Sequence, residues 1–76
     1  MTVNQDHARR VKDLHEEALF GISGVVAIDT APSVQGGYRI RVFVTPERLL
    51  ACREQIPSVL DQVPVEVIGK RFRLND

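Results

Sequence analysis

The eight residues from Tyr38 to Thr45 alternate, and they run straight into Pro46 and Glu47. Side chains in a strand point to opposite faces in turn. Tyr38, Ile40, Val42 and Val44 therefore share one side, and Arg39, Arg41, Phe43 and Thr45 share the other. An apolar face of this kind has to be buried against something. Thr45 as N-cap, Pro46 at the first helical position and Glu47 in the first turn predict a helix immediately after the strand. A strand with one apolar face feeding a helix points to a layered fold, with helices on one side of a sheet.

The spacing predicts a first helix over residues 3–20. Thr2 and Gln5 fit a capping box, with Asn4 and Asp6 as alternative caps. Ala8, Val11, Leu14, Ala18 and Ile22 form its expected apolar stripe, and Gly21 its stop. Residues 24–30 are β-branched and lack a helical period, so they read as a strand. Pro32, Gly36 and Gly37 mark residues 31–37 as a loop, giving a hairpin with the strand that begins at Tyr38. The second helix is expected to run from Pro46 to about Gln55, because Pro57 biases Ile56 away from α. Leu49, Cys52 and Ile56 would line its inner side. Residues 58–63 read as an irregular or 3₁₀ turn. Residues 65–68 form a third strand opened by Pro64 and closed by Gly69. The expected fold is one α+β domain over residues 1–76. Its order is α-β-β-α-β, a three-stranded sheet with two helices packed on one face.

Composition narrows the functional classes. Ten basic and ten acidic side chains give zero formal net charge, which argues against a generic polyanion binder. The lone Cys52 excludes an intramolecular disulfide, and no Cys/His spacing fits a zinc site. The polar N-terminus has no signal-peptide pattern and no apolar run suffices to span a bilayer, so the expected compartment is the cytoplasm.

With both helices on one face, the other is open. Arg39, Arg41, Phe43, Glu66 and Ile68 are expected there, with Val25 and Ala27, or Val26 and Ile28, from the first strand. Such a face needs a cover. Three candidates are the charged tail with Phe72, a protein partner, or a second copy. In a two-fold homodimer through this face, Phe43 and Ile68 would supply apolar area and Arg41 would pair with Glu66 across the axis. An alternative is nucleic acid held by a local basic patch of Arg39, Arg41, Lys70, Arg71 and Arg73.

Candidate chemistry is sparse. His7 and His15 lie two turns apart on one helix, about 11–12 Å, too far for one metal ion. Cys52 falls on an inner stripe, where cysteine behaves as a small hydrophobe. Gly21 and Gly24 carry the letters of a G-x-x-G loop, but they join a helix to a strand rather than two helices. No catalytic residue, metal or cofactor is expected, and the chain is read as a non-enzyme.

From Ile22 to Gly69 the pattern is apolar-Ser-Gly-Val-Val-Ala-Ile, then Gly-Tyr-Arg-Ile-Arg-Val-Phe-Val, then Val-Pro-Val-Glu-Val-Ile-Gly. It resembles a short α/β segment of uncharacterised bacterial proteins, also found ahead of some bacterial trypsin-like peptidase domains. Ala27, Asp29 and Gln62 stand where that pattern carries glycine. The element order is also similar to BON-type domains, which implies envelope, lipid or partner binding. The expected function is a non-catalytic interaction or regulatory module.

Overall fold

A computed structural model describes residues 3–34 and 36–71. Helix α1 spans Gln5–Phe20, strand β1 Val25–Pro32 and strand β2 Tyr38–Val44. A 3₁₀ turn, Pro46–Arg48, leads into helix α2, Leu49–Gln55, followed by β3, Val59–Leu60, and β4, Val63–Gly69. The protein is α+β as expected, but the sheet has four strands in the order β1-β2-β4-β3. β1 runs antiparallel to β2, β2 parallel to β4, and β3 antiparallel to β4. No helix among the described residues is long and apolar enough to cross a membrane.

The extra strand lies in the segment expected to be irregular. Its turn places Asp61 at φ 47° and Gln62 at φ 71°, both in the left-handed region. A two-residue hairpin turn of this type usually carries Asn-Gly or Asp-Gly. Asp-Gln hides it from a reading of turn residues.

Helix α1 begins later than expected. Asn4 is the N-cap, and its Oδ1 accepts the His7 backbone N–H at 2.7 Å. The Thr2–Gln5 capping box is not used, since Gln5 already sits inside the helix, and Thr2 lies outside the described residues. Leu14 and Ala18 are also corrected. The buried helix residues are Ala8, Val11 and Leu19, while Leu14 is 70% exposed. Val11, His15 and Leu19 are four apart, which turns the inner stripe away from Leu14 and Ala18.

Ile40, Val42 and Val44 are fully buried, together with Cys52 and Val63. Burying each such aliphatic side chain stabilises the fold by about 1.5–3 kcal/mol. β1 reaches Pro32, two residues past the expected strand end at Thr30. Ser33 N–H donates to Gly37 O at 2.9 Å, making these two a hydrogen-bonded pair. Hydrogen-bonded and open pairs alternate in an antiparallel ladder. Pro32, opposite Tyr38, is therefore in an open pair, where its missing N–H takes nothing from the β1–β2 ladder. The register shifts between Val25 and Ala27. That irregularity lets Val25 and Ile28 both pack on the core despite their odd spacing. Beyond Val44 the chain turns at Thr45, which caps the 3₁₀ turn through its backbone and not its side chain.

Candidate functional site

The register brings the outer face together strand by strand. Arg41 stands between Asp29 and Glu66, and Phe43 between Ala27 and Ile68. Arg39 is beside Ala31 at the β1 side. All five residues expected at the interface, Arg39, Arg41, Phe43, Glu66 and Ile68, thus lie on one face, opposite the buried Ile40, Val42 and Val44.

Their charges are paired within the chain. Arg41 grips Asp29 with two hydrogen bonds, Nε to Oδ1 at 2.7 Å and Nη2 to Oδ2 at 2.5 Å. The hydrogen bonding that Arg41 donates to Asp29 raises the Arg41 pKa above its ordinary value. Desolvation opposes this, while the charges of Asp29 and Glu66 add to it. Arg39 Nε donates to Glu66 Oε2 at 3.0 Å, and its Nη1 donates to the Pro32 carbonyl. The Arg41 guanidinium carbon lies 5.3 Å from the Phe43 ring centre and Lys70 Nζ 5.6 Å. Both are within cation–π range. The face therefore carries two ion pairs, with Arg41 of one of them and Lys70 over the Phe43 ring, and Phe43 and Ile68 are half-buried rather than bare.

Arg41 and Glu66, expected to pair across a dimer axis, each have a partner in their own chain. Asp29 is the site residue that the sequence reading did not place. The basic patch is similarly engaged. Arg39 pairs with Glu66, Arg41 with Asp29, and Arg71 Nη2 with Glu47 Oε1 at 2.8 Å. Arg73 and the tail residue Phe72 lie outside the described residues. Beside the Arg39–Glu66 pair a shallow depression of about 380 Å³ is lined by Ser33, Val34, Arg39 and Glu66.

The other candidates sit elsewhere. His7 and His15 converge on the β3–β4 turn: His7 Nε2 donates to Asp61 O at 3.1 Å, and His15 Nε2 to Asp61 Oδ2 at 3.2 Å. This clamp holds the left-handed turn against α1. Among the described residues no group of three or more His, Cys, Asp and Glu side chains could hold a metal ion. Cys52 is buried, and its thiol donates to Ser23 O at 3.4 Å. Gly21 has φ −71°, an ordinary helical value, so it does not provide the left-handed stop expected of it. Gly24 at φ 104° is the conformationally special member of the pair.

No known protein family, curated protein or solved structure matches this chain.

Proposed function

We propose that this chain is a non-catalytic protein-interaction or regulatory module whose outer sheet face is the contact surface. The observation that carries the reading is the pairing of Asp29–Arg41 and Arg39–Glu66, with Arg41 stacked over Phe43, on the sheet face opposite the buried core. Side chains already held in place lose little freedom on binding, which lowers the cost of association. Arginine and aromatic residues are the side chains most enriched at protein interfaces.

A nucleic-acid role would have phosphates compete with Asp29, Glu66 and Glu47 for the same arginines. Steep weakening with salt in a gel-shift assay would identify that case. The direct test uses the wild-type chain and Phe43→Asp as baits, with Arg39→Ala as a milder second variant. Circular dichroism confirms that each is folded, and mass spectrometry identifies what each retains. The reading predicts a protein held by the wild type and lost by both variants. Identical retained sets would overturn it.

A further inference from the structure

We infer that the outer edge of β1, unpaired among the described residues, pairs with the β1 of a second copy, antiparallel about a two-fold axis through Ile28, joining two sheets into one. This surface is distinct from the outer face and goes beyond the function proposed for it.

β1 is the terminal strand of the sheet. The ladder alternation fixed by the Ser33–Gly37 bond makes Ala31, Asp29 and Ala27 the residues bonded to β2. Ile28 and Thr30 therefore turn their N–H and C=O groups outward, along the edge. Unpaired main-chain groups on an edge are a template for another strand. Natural edges are usually guarded by lysine, proline, bulges or inward charges. In β1 the guards stand only at the ends: the irregularity at Val25–Ala27 and Pro32. Between them the edge carries no lysine or arginine.

The ends also select the register. An axis through Thr30 would set Ile28 against the partner's Pro32, which has no N–H to give. An axis through Asp29 would set two carboxylates directly opposite, a destabilising arrangement. An axis through Ile28 avoids both. Ile28 exchanges two bonds with its own copy, Asp29 lies across from the partner's Ala27, and Thr30 reaches the partner's Val26, the inserted residue at which the new ladder ends. On the helix side two isoleucines pack together, a favourable cross-strand pair. Val26, 43% exposed, is covered. Zero net charge leaves no long-range repulsion between copies. The strand thus complements itself, which favours a second copy over an unrelated peptide.

Sedimentation velocity over a concentration series tests this with wild type, Thr30→Pro and Phe43→Asp. Wild type should shift from the 8.5 kDa chain to twice that mass. Thr30→Pro removes an outward N–H from each copy while leaving the β1–β2 ladder intact, and it should weaken the dimer about tenfold or more. Phe43→Asp should leave the dimer in place. Ile28→Cys places two thiols across the axis, within disulfide reach, and should link the dimer covalently under oxidation. A wild type that stays monomeric at several hundred micromolar would overturn the inference. So would a dimer that resists Thr30→Pro and fails to cross-link through Ile28→Cys. A dimer split by Phe43→Asp alone would also overturn it, and would assign self-association to the outer face.

Discussion

Gly24→Ala should be among the most damaging single changes in this chain, although it adds one methyl group. Two effects act together. Gly24 sits at φ 104°, a region that side chains with a Cβ avoid. Forcing a non-glycine residue there costs about 1–3 kcal/mol. The added Cβ would also stand 2.5 Å from Arg48 Cβ and 2.8 Å from Arg48 Cγ. Both are far inside contact distance and too near the backbone for a rotamer change to relieve. Overpacking of this kind costs about 1–3 kcal/mol more. Alanine restricts the unfolded chain, which returns about 0.4–1 kcal/mol. The net expectation is a loss of about 1–6 kcal/mol, centred on about 3 kcal/mol. A chain of this length has about 4–11 kcal/mol in total. At about 4–8 °C per kcal/mol, the central value lowers Tm by about 12–24 °C. Urea unfolding followed by circular dichroism measures this, with an unchanged slope showing that only stability has moved. Gly21→Ala is the control. Its φ is −71°, and its Cβ would meet Ala18 O at 3.3 Å and Glu17 O at 3.7 Å, with no side chain in the way. It should change stability by less than about 1 kcal/mol. A Gly24→Ala loss no larger than that of Gly21→Ala would show that neither the backbone conformation nor the Arg48 contact constrains position 24.

Gln62→Gly should stabilise the fold by about 0.5–1 kcal/mol, because glycine relieves the left-handed backbone at φ 71°; a destabilised variant in thermal unfolding contradicts this. His15→Ala should cost about 0.5–1.5 kcal/mol by releasing Asp61, and faster amide exchange in the β3–β4 turn should accompany it. Ile40→Ala, at a fully buried position, should cost about 2–5 kcal/mol in urea unfolding. Leu50→Ala, at a position 75% exposed, should stay within about 0.5 kcal/mol in the same assay.

The alternation from Tyr38 to Val44 was legible because it needs only the period of a strand, and the buried Ile40, Val42 and Val44 follow from it directly. The end of α2 was equally legible, since Pro57 forces the extended Ile56 at φ −96° and ψ 124°. What stayed hidden depends on register and on atypical turn residues. Asp29 meets Arg41 only once the hairpin pairing is fixed, and the irregularity at Val25–Ala27 breaks the parity that would have placed it. Opposite charge at Asp29 and Arg41, together with apolar Ile28 opposite Val42, was the available signal for that register. The β3–β4 turn escaped because Asp61 and Gln62 replace the glycine-bearing pair such a turn usually carries. His7 and His15 hold it from a different element, and no local reading connects residues that far apart in sequence.

If a partner binds the outer face, the placement of the two lysines reports it directly. Lys70 Nζ lies over Phe43, on the outer face, whereas Lys12 belongs to α1, on the helix-covered side, where it pairs with Glu16. Amine-reactive cross-linking of the bait with its captured protein, followed by peptide mass spectrometry, separates the two surfaces. The account predicts cross-links to the partner from Lys70 and none from Lys12. Cross-links from Lys12 alone would contradict it and move the contact surface to the helices.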